Sequence, residues 1–183
     1  MAPETRAVTT WHLEQTDPAQ LRRARVPEPA PMVMQAREPL PELNRFLYSA
    51  VGGDWHWIDR LSWSHARWLE YLSRPQVQTW VLYVDGTPAG YVELEQQEQG
   101  NVELAYFGLI GKFIGRGLGG HLLTRGIEQA WAMPGTRRVW VHTCTLDGEH
   151  ALANYQARGM RLYHTDTSEK RVGATPGPWP GAR

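Results

Sequence analysis

Three features of the sequence point to a mixed α/β (α+β) domain whose central sheet is mostly antiparallel but holds one parallel pair of strands. Strand-like runs at Thr79–Val84, Ala89–Leu94 and Val102–Ile110 follow one another through short turns, as in a meander. A helical run beginning at Leu118 separates the third of them from a fourth at Arg138–Thr143, and a strand–helix–strand unit of that length makes its two strands parallel. The chain has 183 residues, 42% hydrophobic and 21% charged, which suits one domain with a full core and excludes two large ones.

Taken from the N-terminus, Val8–Leu13 carries Val, Thr and Trp and reads as a first strand, and 17–31 is Pro- and Arg-rich and reads as a loop. Leu40, Leu43, Phe46, Leu47 and Ala50 recur at three and four, predicting a helix that Gly52-Gly53 ends. Ser64 caps a second helix over His65–Leu72, which Pro75 keeps from continuing. Asp85-Gly86 accepts the positive φ of a tight hairpin turn. Leu118, Leu122, Leu123, Gly126, Ile127, Ala130 and Trp131 keep helical spacing until Met133-Pro134-Gly135. A last helix spans His150–Arg158 with Gly159 as its cap, and Met160–Thr165 returns as a strand. The expected organisation is one domain over residues 1–170 and a disordered tail over 171–183, rich in Pro and Gly.

Nineteen basic against nineteen acidic residues leave no net charge to draw the chain to a polyanion, so nucleic-acid binding is not expected. Cys144 stands alone, which excludes an intramolecular disulfide, and the first ten residues lack the apolar core of a signal peptide. No apolar run approaches the roughly 18 residues of a membrane helix. A cytoplasmic protein without membrane partners is therefore expected. One cysteine and scattered histidines do not make a closed zinc site, so no metal is expected either.

The most informative stretch is the turn after the third meander strand, where six glycines fall between Gly108 and Gly120. Glycines between a strand and a helix let backbone N–H groups approach a ligand, and the helix N-terminus adds partial positive charge. Together they predict an anion site, most simply for a pyrophosphate. A P-loop is excluded because no Lys-Ser or Lys-Thr follows a glycine. Gly115-Arg116-Gly117-Leu118-Gly119-Gly120 holds a Gly-x-Gly-x-x-Gly string, but the strand after the helix ends without the acidic residue that a dinucleotide ribose needs.

This segment resembles the GNAT N-acetyltransferase superfamily, which carries Gln/Arg-x-x-Gly-x-Gly/Ala at such a turn to hold the pyrophosphate of acetyl-CoA. Ile114-Gly115-Arg116-Gly117-Leu118-Gly119 matches the two later positions and departs at the first. Tyr155-Gln156-Ala157-Arg158-Gly159-Met160 is similar to a second signature of that superfamily, with Met160 in place of Phe. The resemblance covers roughly residues 33 to 167 and implies a GNAT-type acyl-CoA N-acyltransferase fold, its sheet splayed between the two parallel strands. It implies acetyl-CoA as co-substrate, contacted by Phe107, Gly108, Leu109, Ile110, Ile114, Gly115, Arg116, Gly117, Leu118, Gly119 and Gly120. A free backbone N–H near Leu109 would face the thioester. Where the superfamily often has an Asn beside the pantetheine this chain has Gly148, so that contact is absent or comes from another residue, with Asn154 the candidate.

Amine acetylation needs a bound donor, a deprotonated amine, a stabilised oxyanion and a proton for the leaving sulfur. Strand alternation places Glu103 on one face with Ala105, Phe107 and Leu109, where a carboxylate could act as base, directly or through water; a solvated edge residue is the competing reading. The resemblance gives Tyr155 the role of acid. His142, His150 and His164 lie near the same end and could relay protons. Cys144 reads as a buried structural thiol rather than a nucleophile. Lys112 and Arg125 read as solvated charges, whereas Arg116 lies inside the turn.

Nine tryptophans are the one unusual count, and Trp55, Trp57, Trp63 and Trp68 crowd one stretch. Their rings could hold a cationic amine with Asp54 or Asp59, or could fill the core under a long loop. The expected activity is acetyl transfer from acetyl-CoA to a small or medium primary amine, with a non-catalytic acyl-CoA sensor and a transferase with another acyl donor as alternatives. Sequence leaves the acceptor and the oligomeric state open, a homodimer included.

Overall fold

A computed structural model describes residues 4–179. Among the described residues, seven strands form one sheet in the order β2-β3-β4-β5-β6-β1-β7. The strands are β1 (Glu4–Gln15), β2 (Met32–Ala36), β3 (Val77–Val84), β4 (Thr87–Gln96), β5 (Asn101–Leu109), β6 (Arg138–Cys144) and β7 (Arg161–Val172). The helices are α1 (Pro41–Gly52), α2 (His65–Leu72), α3 (Leu118–Ala132) and α4 (Ala151–Ala157).

The meander β3-β4-β5 forms as expected, with Asp85 and Gly86 both at positive φ (49° and 76°) in its first turn. β5 and β6 are parallel, joined by α3. Helix α3 lies on one face of the sheet with α4, and its Leu122, Leu123, Ile127 and Ala130 are fully buried against Val92, Leu94, Leu104, Val139 and Val141. Burying each such aliphatic side chain contributes about 1.5–3 kcal/mol. The helix sits close because Gly126 faces Val92, where an added Cβ would lie 3.0 Å from that side chain. Helices α1 and α2 cover the opposite face over β3 to β5, around Leu47, Tyr48, Val51, Trp68 and Tyr91.

One strand goes beyond the sequence reading, and one expectation is overturned at the C-terminal end. The N-terminal strand pairs antiparallel with both β6 and β7 and so occupies an interior position, while a short strand, β2, absent from the sequence reading, takes the opposite edge. Strand β7 does not stop at Thr165. It runs to Val172, whose side chain is buried, and the Gly177 N–H then donates to the Gly53 carbonyl at 3.0 Å. The expected tail from 171 is therefore strand and docked chain through 177, with residues 180–183 outside the described residues. The physical reason is pairing with β1 at eleven residue pairs, nine of them successive from Glu4 with Val172 to His12 with His164, which needs no apolar pattern.

Candidate active site

The parallel pair β5–β6 is in register only at Asn101–Glu103 against Arg138–Trp140; beyond Glu103 the strands part. The opening leads into a cleft of about 930 Å³ lined by Leu104–Leu109, Thr143, Cys144, Asn154 and Tyr155, with Ile114, Gly115 and Gly119 at one end. Strand β5 stays paired with β4 as far as Leu109, and the Ile110 N–H donates to the Ala89 carbonyl at 2.9 Å. Since successive residues of a strand point their backbone groups to opposite sides, the Leu109 and Phe107 amides face the gap. A strand edge with free donors thus walls the cleft.

At the mouth, Gly115 and Gly117 hold left-handed φ values of 82° and 73°, a conformation that L side chains resist by about 1–2 kcal/mol. Among the described residues, nothing lies within 4 Å of where a Cβ would sit on either. Gly117 is the N-cap of α3 and no side chain caps the helix, so its first amides are without intrahelical partners. Between Leu104 and Ile127 the sequence holds no carboxylate to compete for them. The set fits a pyrophosphate in charge, donor type and space. Gly119 lies between Asn154 and Leu109, each 3.7 Å from where its Cβ would be. Gly120 faces the Arg158 guanidinium and Ala24, so a Cβ there would press the end of the Arg158 side chain aside and lie 3.1 Å from Ala24. Arg116 is exposed, its guanidinium 5.4 Å from the Phe113 ring, and Arg125 is paired with Glu128 at 2.7 Å.

Tyr155 is 5% exposed and meets Phe107 edge to face at 5.9 Å across the splay. Its hydroxyl has no hydrogen-bond partner among the described residues. Burial, then the Asp147 carboxylate, pushes its pKa above the usual tyrosine range, so it stays protonated. Asp147 is itself held by the Thr143 hydroxyl at 2.6 Å and the Cys144 N–H at 2.8 Å. Burial and Asp147 likewise raise the Cys144 thiol, which disfavours the thiolate a cysteine nucleophile needs.

Glu103 is the last residue of β5 paired with β6, where the strands begin to part. It accepts from Gln97 Nε2 at 2.8 Å and meets His142 Nδ1 at 3.3 Å. That hydrogen bond raises the His142 pKa, winning over the burial that opposes it. The face expected for Glu103 is corrected by a bulge: Leu104 pairs with Leu94 and Tyr106 with Glu93, leaving Ala105 unpaired. Alternation restarts there, so Phe107 and Leu109 pack with Leu104 on the α3 face, while Tyr106 packs toward α1 with Tyr48 and Trp57.

The tryptophan stretch resolves mainly into packing. The chain's own Arg60 is held by aromatic rings there, its guanidinium carbon 4.7, 5.6, 4.3 and 4.4 Å from the rings of Trp63, Trp68, Tyr71 and Tyr106, and Arg67 also lies 4.4 Å from the Trp63 ring. Arg60 also pairs with the buried Glu93 at 2.8 Å, and Tyr71 donates to the same Glu93 oxygen at 2.8 Å. Trp57 packs against Tyr48, Tyr91 and Tyr106. Trp55 and Trp57 both line the cleft, but Trp55 makes no such ring contact among the described residues and instead faces Gly148, about 3.6 Å from where a Cβ would be. Asp59, Glu95 and His142 also line the cleft. Sequence reasoning did not single out Tyr48, Arg60, Tyr106 or the end of β7 (Lys170–Val172) as cleft residues, because strand pairing brings the last two there and packing of α1 and the 53–64 segment onto the sheet brings the first two.

A model of the acetyltransferase (GNAT) family matches residues 40–160. The chain belongs to the GNAT acetyltransferase family. Chemistry in this family is acyl transfer from acyl-CoA to an amine. Solved structures of the same fold include a GCN5-related N-acetyltransferase from Kribbella flavida (19% identity, TM-score 0.65, 93% of this chain and 61% of that one). Another is a GCN5-related N-acetyltransferase from Sphaerobacter thermophilus (19%, TM-score 0.62, 94% and 55%). A third is an IAA acetyltransferase from Bacillus cereus (20%, TM-score 0.52, 74% and 79%). The chain thus spans only 61% and 55% of the first two proteins. No curated protein matches the sequence. No helix among the described residues is long and apolar enough to cross a membrane. This GNAT chain also gathers its histidines more than the sequence suggested: His12, His142 and His164 share one face of β1, β6 and β7, whereas His150 stands exposed at the start of α4.

Proposed function

We propose that this GNAT chain transfers an acetyl group from acetyl-CoA to a small or medium primary amine by direct attack on the thioester. The observation that carries the reading is the continuous path from the open Gly115–Gly119 turn, along the free edge of β5, to the Tyr155 ring. Backbone amides of the turn and of the first α3 residues would hold the pyrophosphate, and Asn154 beside Gly119 would contact the pantetheine. The Phe107 and Leu109 amides supply donors for the pantetheine and for the oxyanion that develops when the amine nitrogen bonds to the carbonyl carbon.

When the carbon–sulfur bond breaks, the departing thiolate takes the Tyr155 proton. The desolvation that weakens Tyr155 as an acid also strengthens the thiolate as a base, since the sulfur would sit against the same buried ring. Glu103 lies four residues before Phe107 on the strand, roughly 13 Å at full extension, so it accepts the amine's proton through water and shares it with His142. Trp55, Asp59 and Tyr106 would shape the amine side. Release of free CoA with a panel of amines, followed by a thiol reagent, tests the reading. Amine-dependent release that falls in the Tyr155→Phe chain supports transfer; binding of acetyl-CoA without release for any amine would replace it with a sensor.

A further inference from the structure

The outer face of the β1–β7 pair carries a cluster that acetyl transfer does not use. His12 and His164 are direct cross-strand partners, and the register shift that follows His12 leaves Tyr163 as the extra residue on β7. Asp166 stands two positions after His164, hence on the same face. His12 Nε2 lies 2.9 Å and His164 Nε2 3.8 Å from Asp166 Oδ2, and one donor atom from each of the three residues falls within 4.8 Å of the others. Leu13 packs into the core on the opposite face, under α3 and α4, so the cluster looks outward.

We propose that His12, His164 and Asp166 form a binding site for a borderline-soft divalent cation, Zn²⁺ foremost. Two imidazoles and one carboxylate are the donors such ions take, whereas Mg²⁺ and Ca²⁺ prefer all-oxygen shells. Bonds of about 2.0–2.1 Å in a tetrahedron put ligand atoms about 3.3 Å apart, and the separations here bracket that value, so small side-chain rotations suffice. The ligands stand on two hydrogen-bonded strands and not on a loop, which fixes their spacing before the ion arrives. The side chains are 23%, 58% and 48% exposed for His12, His164 and Asp166, leaving an entry path and an open position for water or an outside ligand. Trp140 stacks on the His12 ring at 6.5 Å and 17°, which limits the ring's freedom to turn away. An ion bound there would pin the N-terminal strand to β7, the sheet's edge.

The test uses the full chain without an affinity tag, stripped with chelator. ZnCl₂ is titrated calorimetrically, and Co²⁺ is added to read its visible ligand-field absorption. One ion per chain is expected, with a rise in Tm on adding zinc, and His164→Ala and Asp166→Asn should each weaken binding at least tenfold and abolish the Tm rise. Both positions are solvent-exposed, so the variants keep their fold, which circular dichroism checks. Glu103→Gln, beside the neighbouring His142, should bind zinc as the parent does. Absence of stoichiometric binding, parental affinity in both cluster variants, or loss confined to Glu103→Gln would overturn the assignment.

Discussion

Replacing Arg60 with methionine removes the cation from a closed aromatic cage and leaves Glu93, 1% exposed, without its ion-pair partner. The pair measures 2.8 Å and the Arg60 side chain is 8% exposed, so solvent screens it little. Breaking a buried pair of this kind costs about 3–5 kcal/mol, most of it from the stranded charge. For a domain of this length, each kcal/mol moves Tm by about 2–4 °C, so a drop of roughly 6–20 °C is expected. The double variant Arg60→Met/Glu93→Leu should recover most of the loss, because an apolar pair has no charge left to desolvate. Urea unfolding of the parent, both single variants and the double variant measures the cycle. Since Arg60 also ties the 53–64 segment to the wall of the cleft, acceptor KM should rise in Arg60→Met while acetyl-CoA affinity holds. A cost under about 1 kcal/mol for Arg60→Met, or a double variant no better than the single, would refute the argument that this pair is buried and desolvated.

Further outcomes are expected elsewhere. Tyr155→Phe should slow turnover about a hundredfold, the lower end for loss of a general acid, with acetyl-CoA affinity unchanged in calorimetry. The His142 pKa in the folded chain lies above its unfolded value of about 6.5, so its pairing with Glu103 stabilises fully below that pH and the gain fades as pH rises through the elevated value. Its half-exposed side chain limits the effect to under about 1 kcal/mol. The stability gap between the parent and His142→Gln should therefore shrink from pH 5.5 to pH 8.5, and Glu103→Gln should bring the His142 NMR titration back toward the unfolded value. Trp57→Ala should cost about 3–5 kcal/mol by cavity formation, whereas Trp55→Ala should leave stability within about 1 kcal/mol and raise the acceptor KM; equal effects of the two on unfolding would contradict their different placement.

How far the sequence was legible depends on what each feature must satisfy locally. The Gly115–Gly119 turn was readable because its left-handed backbone admits little but glycine. Helices α1 and α3 were readable because their buried faces repeat at helical spacing. Strand β7 was cut short because its residues are exposed from Arg161 to Arg171, so no alternation marks it; partnership with β1 alone extends it. Ala105 carries no chemical sign of a bulge, yet that one unpaired residue separates the face of Glu103 from that of Phe107 and Leu109. The tryptophan stretch was ambiguous because the cation that fills its cage, Arg60, pairs with a carboxylate 33 positions away on β4. The place of His12 beside His142 and His164 was missed for the same reason, since His12 and His164 meet only through strand register.

The central claim is that bare amides at the Gly115–Gly119 bend hold the diphosphate of acetyl-CoA, and titration of acetyl-CoA into the parent and into Gly117→Val tests it most directly. Gly117 has φ 73° and open space where a Cβ would go, so valine strains the bend without colliding with a neighbour. One charge-assisted hydrogen bond is worth about 1.5–3 kcal/mol, so affinity should fall at least tenfold while circular dichroism stays that of the parent. Equal affinity in the two chains, or no heat from the parent, would contradict the account.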